Sequence, residues 1–467
     1  MWCDIDMISL FRNYYTIRNV FLITLESLLL YLSIILSSII VFGNGLGGEY
    51  PILHLKAAFI VMVCVLCLYC NNVYSIKDTK GYTDLTIKLF QSFGAALILL
   101  AFFYMSFSQA IISTGFFFVY IPIVVAVLSA WRFIYVFLLK SGVLSQNIFI
   151  LGDSDLALDI YQEIDHEIDC GYCVKGIVSR NHVPGIDSLN VPHIADYENL
   201  SKIAKANGVK RIVIALKEKR GNFPVDELLM CRVNGIDVVE GHTFYEMLTG
   251  KFLVSSINPT WLIFSNGFRK SRMRNILKRT EDILASLILL MLFSPLILVT
   301  GILIKLDSKG PMLFSQERLG LRHKPYKLYK FRSMVENAEA LSGPVWASKD
   351  DNRITRVGLF IRKWRIDELP QLFNVLKGDM SLVGPRPERE HFVKTLEAEI
   401  PYYGERYIVR PGVTGWAQVR YEYGDSVEDA IEKLNYDLFY IKNMSIFMDI
   451  VIAFRTIRTV LFGVGAR

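Results

Sequence analysis

Four stretches in which apolar side chains follow one another without a polar face fill the first third of the chain, at about 20–41, 52–73, 87–105 and 111–138. Each is near the ~20 residues that an α-helix needs to cross a bilayer. The pattern therefore predicts four transmembrane helices within residues 1–140. From about residue 146 to 250 it changes to short β-branched runs alternating with amphipathic stretches: 147–151, 155–164, 174–178, 200–206, 211–215, 226–233 and 236–239. That alternation is the rhythm of a small parallel α/β domain. A fifth apolar run, 283–306, is long enough to span but carries Ser294-Pro295 at its centre. Proline removes a helical hydrogen bond and crowds the preceding turn, so a kink is expected there.

Composition agrees with this partition: 52% hydrophobic and 21% charged residues in 467 are the proportions of a membrane protein. The net charge of +6 is spread through loops and forms no basic tail. Phosphate-rich substrates or anionic headgroups fit it better than nucleic acid. Basic residues set the expected orientation. Arg12 and Arg18 precede the first span, Lys77, Lys80 and Lys88 lie between the second and third, and Arg132 and Lys140 close the fourth. Both the N-terminus and everything after Lys140 are thus expected on the cytoplasmic side. The polar segment 1–19 and the lack of a small-residue cleavage site argue against a cleaved signal peptide.

Lys278 and Arg279 before the fifth run, and Lys305, Lys309 and Arg318 at or after its end, are basic flanks of the same sign. Two arrangements satisfy the run: a helix that enters, bends at Pro295 and returns to the same face, or a simple fifth span. The seven cysteines give no metal or disulfide framework. Cys64, Cys67 and Cys70 sit in an apolar run as small hydrophobes, and Cys170 and Cys173 form a lone CxxC without a second pair. In the α/β segment, Gly152-Asp153-Ser154 joins a strand to a helix, where a doubly wound fold places a nucleotide phosphate. Without G-x-G-x-x-G, and with an acidic residue in the turn, the segment reads equally as a docking or regulatory module.

Candidate chemistry is concentrated between 315 and 420. Lys330 and Arg332 are two residues apart and on a strand would share a face. Arg353, Arg356, Arg362 and Arg365 lead into Asp367-Glu368. Cations around an acidic pair are what phosphoryl transfer uses, the cations to hold a diphosphate and the carboxylates to hold Mg²⁺ or to attack phosphorus. A solvated helix surface laced with ion pairs accounts for the same residues equally well. Arg386 stands between Pro385 and Pro387, which would present it with little conformational freedom. Trp416, in Pro411-Gly412-Val413-Thr414-Gly415-Trp416, reads either as a stacking platform for a base or sugar or as an interfacial anchor.

At these residues the chain resembles the bacterial sugar transferases, the monotopic phosphoglycosyl transferases that act as polyprenyl-phosphate hexose-1-phosphate transferases. The resemblance runs from Lys278-Arg279, with Asp282 and Ser286, through the Ser294-Pro295 break. It continues over Gly310-Pro311, Phe314, Gln316, Arg318 and Gly320 to Lys330–Met334, Asp367-Glu368-Leu369-Pro370-Gln371, Asn374-Val375-Leu376, Pro385-Arg386-Pro387 and the Trp416 loop. Four spans and an α/β domain ahead of it are similar to the large members that initiate exopolysaccharide or capsule synthesis. Asn258-Pro259-Thr260-Trp261-Leu262 and the tail from Tyr421 resemble exosortase-associated members most. Arg420-Tyr421-Glu422-Tyr423 departs from the Asn-Gly-Arg of small members, so the sugar cannot be carried over.

The resemblance implies a fold class: a membrane protein with a four-helix transmembrane bundle (1–140), a Rossmann-like α/β domain (146–250), a linker (251–277) and an α/β catalytic domain (278–467). A re-entrant helix-break-helix hairpin, 283–306, would anchor that domain. It implies transfer of a sugar 1-phosphate from a UDP-sugar, of glucose or galactose type, to undecaprenyl phosphate with release of UMP. Asp367 would be the nucleophile and Glu368 the Mg²⁺ ligand, with Lys330, Arg332, Arg362, Pro385, Arg386, Pro387 and Trp416 binding substrate. The implied setting is the bacterial inner membrane, with soluble domains and both termini cytoplasmic. Implied partners are membrane lipid and other exopolysaccharide assembly proteins, a homodimer being compatible. Two competing functions are a membrane-bound nucleotide-sensing regulator with an inert transferase domain and a processive polysaccharide synthase.

Overall fold

The computed structural model describes residues 17–43, 50–71, 73–74, 82–107, 112, 115–140, 145–166, 170–180, 191–195, 197–216, 223–256, 267–268, 270–335, 353–421, 424 and 426–462. Arg12, Lys77, Lys80, the 258–262 motif and Glu422-Tyr423 lie outside the described residues. The chain divides into two compact units, Met1–Thr249 and Gly250–Arg467.

The first unit opens with α1 (Ile17–Phe42), α2 (Tyr50–Cys70), α3 (Tyr82–Ser106) and α4 (Phe116–Lys140), one for each expected span. Because these sequences are apolar all round, Leu30, Ile34, Ile60, Leu68 and Tyr120 fill an interior while Leu55, Phe102 and Phe118 remain exposed. An apolar exterior of this kind suits lipid, where the helix satisfies its own backbone groups. Phe21–Phe42, Thr83–Ser106 and Phe116–Leu138 are long and apolar enough to cross a membrane, and Leu53–Tyr69 of α2 is a shorter apolar helix. Arg132 corrects the charge reading above. It is no flanking charge but is 2% exposed, donating to Glu26 (Nη2 to Oε2, 3.0 Å) and to the Val73 carbonyl (2.9 Å).

The rest of this unit is a five-stranded parallel sheet, β1 (Gln146–Leu151), β2 (Tyr172–Val178), β3 (His193–Ile194), β4 (Arg211–Ile214) and β5 (Asp237–Glu240), in the order β3-β2-β1-β4-β5. Parallel neighbours need crossovers. α5 (Asp155–His166), α6 (Leu200–Ala206) and α7 (Val225–Val233) lie in those connections, and α8 (Gly241–Thr249) follows β5. Ile148 to Leu151 at the centre are fully buried, as a sheet covered on both faces requires. Gly152 ends β1 with φ +149°, and a Cβ there would meet the Ala215 carbonyl oxygen at 2.0 Å. Ser154 Oγ donates to that same carbonyl (2.5 Å).

The second unit is built on α9 (Arg272–Asp307), 36 residues long and capped by Ser271. Helical conformation continues through Pro295. Proline cannot donate to the carbonyl four residues back, that of Met291, and Ser294 Oγ donates to it instead (2.9 Å). An antiparallel hairpin follows, β6 (Leu313–Leu319) and β7 (Pro325–Phe331). Then come α10 (Arg356–Lys363), a 3₁₀ turn (Ile366–Glu368), α11 (Gln371–Lys377) and β8 (Ser381–Val383). β8 pairs in parallel with β9 (Gly412–Thr414), and α12 (Glu390–Glu399) lies between them. α13 (Trp416–Arg420), α14 (Val427–Asn443) and α15 (Ile446–Phe462) complete it. Phe252 and Val254, 2% and 3% exposed, belong to this unit: the amides of residues 252 and 254 both donate to Asn435 of α14.

Candidate active site

The acidic pair sits where three backbone devices converge. Thr355 caps α10, accepting from the Gly358 amide (2.9 Å). Arg365 then takes a left-handed conformation (φ 52°), which ends α10 and starts the 3₁₀ turn carrying Asp367 and Glu368. Pro370 begins α11 immediately afterwards, as its fixed φ favours at a helix start. Both carboxylates are 8% exposed.

Two further elements bring cations to Glu368. Asn374, fully buried on α11, accepts from the Tyr329 amide (3.0 Å) and donates to the Lys327 carbonyl (2.7 Å), fastening β7 alongside. That fastening places Lys330 Nζ 3.0 Å from Glu368 Oε1. The Pro385-Arg386-Pro387 loop is held by glycine contacts so close that a Cβ on Gly412 would lie 2.1 Å from the Gly384 nitrogen. From it, Arg386 Nη2 reaches the same Glu368 oxygen at 3.0 Å. Arg365 Nη1 lies 3.7 Å from the other oxygen, Oε2.

The electrostatics separate the neighbours. Burial is the largest influence on Asp367 and raises its carboxyl; Glu368's charge adds to this while Lys330, Arg362 and Arg386 oppose it, leaving it pushed up to about 6. Burial also disfavours the Glu368 charge, but Lys330, Arg386 and Arg365 overcome it and hold that carboxyl well below the usual range. Near neutrality Glu368 is a fixed, neutralised anion. Asp367 is a desolvated carboxylate that titrates within reach of physiological pH, the combination found at functional sites.

Of the residues singled out in the sequence, Asp367, Glu368, Lys330, Arg362 and Arg386 act on one another here, with Pro385 and Pro387 buried on either side of Arg386. Two do not join them. Arg332 lies one residue past the end of β7 and turns back to the C-terminal end of α9, donating to the Ser308 and Lys309 carbonyls (2.7 Å each). Its charge completes a helix terminus, so the shared strand face with Lys330 is not realised. Trp416 is 3% exposed, donates Nε1–H to the Gly250 carbonyl (2.8 Å) and stacks on Phe439. Arg420 and Arg455 lie over its ring, 4.9 and 5.1 Å from it, so it works as a packing pin. Ser294 and Pro295 stand in α9, remote in sequence from the pair. Arg365, one of the arginines leading into the pair, joins them through Glu368, while Asn374, named above only within a motif of the resemblance, had no role assigned to it. A fully polar side chain between apolar Leu372 and Val375 is the signal that marks Asn374.

A buried acid pair with cations converging on Glu368, in a unit that carries a long apolar helix, is an arrangement suited to handling phosphate beside a membrane. Residues 273–463 match the family model described as bacterial sugar transferase, and residues 70–230 match one described as a CoA-binding domain. The chain is 32% identical over 351 residues to an uncharacterized sugar transferase of Haemophilus influenzae, covering 71% of this chain and 72% of that one. It belongs to the bacterial sugar transferase family. It is 48% identical over 240 residues to a UDP-N-acetylgalactosamine-undecaprenyl-phosphate N-acetylgalactosaminephosphotransferase of Aeromonas hydrophila, 51% of this chain and 56% of that protein. The match thus spans about half the length of that relative. An exopolysaccharide production protein of Rhizobium leguminosarum is 44% identical over 190 residues, 39% of this chain and 94% of its own.

Proposed function

We propose that this chain transfers a sugar 1-phosphate from a UDP-sugar to undecaprenyl phosphate, giving a polyprenyl-diphosphate sugar and UMP, the first step of an exopolysaccharide or capsule. The observation that carries the reading is the division of labour in the acid pair, one carboxylate neutralised by cations and its neighbour raised and buried. In the first step an Asp367 oxygen attacks the β-phosphorus, the bond from that phosphorus to the bridging oxygen breaks, and UMP departs with the electron pair. A phosphosugar is left on Asp367. In the second step a polyprenyl-phosphate oxygen attacks the same phosphorus and the Asp367 carboxylate is released. Lys330, Arg362 and Arg386 hold the diphosphate, countering the charge that develops on the leaving oxygen.

A divalent metal fits these residues in one form. Among the described residues no three metal-ligating side chains cluster, so the protein does not build a complete cage. It offers the two adjacent carboxylates, which is what Mg²⁺ takes from a protein when phosphate oxygens and water fill the other positions. Glu368 would hold it. Bound there, Mg²⁺ neutralises the diphosphate.

In this reading α9 enters and leaves the membrane on the cytoplasmic side. Support comes from its anchors. Near its start Asp282 accepts from Ser381 Oγ (2.9 Å) and the Leu382 amide (3.0 Å), and near its end Asp307 accepts from the Val357 amide (3.1 Å). A straight helix from Asp282 to Asp307 would run about 37 Å, longer than the ~30 Å hydrocarbon core. A crossing would therefore set on opposite faces of the membrane the very ends that hold the same domain. Between them Met291, Leu292 and Leu298 are exposed, an apolar tip suited to lipid. The domain division proposed is a four-helix bundle in the inner membrane (1–140), a Rossmann-like domain whose strand order reverses between β1 and β4 (146–250) and the catalytic domain with its re-entrant helix.

The test is intact-mass analysis of full-length protein with UDP-glucose, UDP-galactose or UDP-N-acetylgalactosamine and no lipid acceptor. One donor should add a single sugar-phosphate unit. Asp367→Asn, which cannot form an acyl phosphate, should abolish it, whereas Glu368→Gln should slow it ~10² to 10³-fold. An adduct that survives Asp367→Asn would overturn the assignment.

A further inference from the structure

We propose that Arg406 is a positioning residue for Arg386, working from a buried cradle made by Asp437 and Tyr403. The inference rests on the reading of the acid pair as the transfer centre. Arg386 donates to Glu368 from a loop whose prolines fix local φ but contribute no N–H groups. The distance of that loop from Glu368 must therefore be set largely by donors that other elements bring to its carbonyls.

The carbonyls are all engaged. That of Pro385 accepts from the Gly412 amide (2.9 Å), that of Pro387 from Arg318 Nη1 (3.3 Å) and that of Glu388 from the Leu319 amide (3.2 Å). The carbonyl of Arg386 itself accepts from Arg406 Nη2 (3.1 Å). Arg406 is 6% exposed; its Nε donates to Asp437 Oδ2 (2.9 Å) and its Nη1 to the Tyr403 hydroxyl. A line of hydrogen bonds thus runs from Asp437 on α14 through Arg406 to the backbone of Arg386, and from the Arg386 side chain to Glu368.

This is a costly way to hold a loop. A buried ion pair is seldom a net source of stability compared with apolar packing. What it supplies is direction: the guanidinium is a planar fork, and three of its donors are fixed at once. Asp437 cancels its charge, so Arg406 bears on the acid pair through the place it gives Arg386.

The experiment uses full-length Arg406→Lys, which keeps the charge but not the fork, in wild-type and Arg386→Met backgrounds. In the wild-type background adduct formation should fall ~10 to 10²-fold, as displacement of a substrate-holding group by about 1 Å does. In the Arg386→Met background the same change should cost less than about twofold, because the group being positioned is gone. Amide hydrogen exchange at residues 384–389 should quicken in Arg406→Lys while β6 and β7 stay protected. Equal losses in both backgrounds, or unchanged exchange at 384–389, would overturn the proposal. Should Arg406→Lys fail to fold, Asp437→Asn carries the same pair of measurements. Should the wild type form no adduct, the transfer reading fails on its own, and hydrogen exchange still decides whether Arg406 holds the loop.

Discussion

Lys330→Met isolates the electrostatic control of Asp367, the proposed nucleophile. Burial raises the Asp367 carboxyl, and Lys330 is the strongest of the charges opposing it, the balance standing at about 6. An opposite charge within ~4–6 Å lowers an acid by about 1–3 units, so its removal should carry the carboxyl up by at least about one. The sign follows directly: the attacking form is the ionised one, activity is lost as pH falls through the carboxyl's midpoint, and a higher midpoint moves that loss to higher pH. Near pH 7 wild-type Asp367 is about nine-tenths ionised, and the variant at most about half. A deficit of about twofold or more from ionisation alone should therefore shrink as pH rises, leaving a constant loss from the missing diphosphate contact. Rapid-quench intact-mass measurement of the adduct from about pH 5 to about pH 9, without lipid acceptor, reads both components. If the acid limb stays near 6 while only the plateau falls, Lys330 holds substrate without tuning Asp367, and the reasoning is refuted.

Residues 250–467 should suffice for transfer in detergent, whereas a chain starting at 273 should be destabilised by several kcal/mol, since burying Phe252 and Val254 contributes about 1.5–3 kcal/mol each. Thermal unfolding and UMP release on the two truncations check this. Cysteines replacing exposed Thr280 and Lys309 should both be labelled from the cytoplasmic side, and labelling of one of them only from outside would sink the re-entrant placement. Trp416→Phe should lower stability by about 1–3 kcal/mol through the orphaned Gly250 carbonyl. Its Michaelis constant for the UDP-sugar should stay unchanged; a large increase would return Trp416 to the substrate.

Local pattern gave the membrane-length helices and most helices and strands of the α/β domain, and motif density gave the acid pair. Both are properties of contiguous sequence. What stayed hidden depends on partners far along the chain. Arg132 reads as a flanking charge until Glu26, on another helix, closes on it. Arg332 obeys strand alternation up to Phe331, but the strand ends there and the open carbonyls of a helix terminus claim the guanidinium. Trp416 looks like an aromatic platform because nothing beside it in sequence reveals that Gly250, Phe439 and Arg455 will cover it. The strand order β3-β2-β1-β4-β5 is likewise a choice among pairings that hydrophobic pattern alone does not rank.

The adjacent acids show how one motif can hold two chemistries. Asp367 and Glu368 are equally exposed, so burial alone would treat them alike. Successive residues of a 3₁₀ turn project about 120° apart. Glu368 contacts Lys330 on β7 and Arg386 on its loop, while both cations act on Asp367 electrostatically. The longer side chain meets Lys330 and Arg386 at contact distance, and its charge is fixed. The shorter one feels the same cations at longer range, keeps most of its desolvation, and retains the basicity that a nucleophile needs. Environments that drive two neighbouring acids apart in pKa are what distinguish the partner that reacts from the partner that anchors. Here the separation comes from cations that contact Glu368 directly and act on Asp367 without such contact, and this difference, rather than the presence of two acids, supports the proposed assignment.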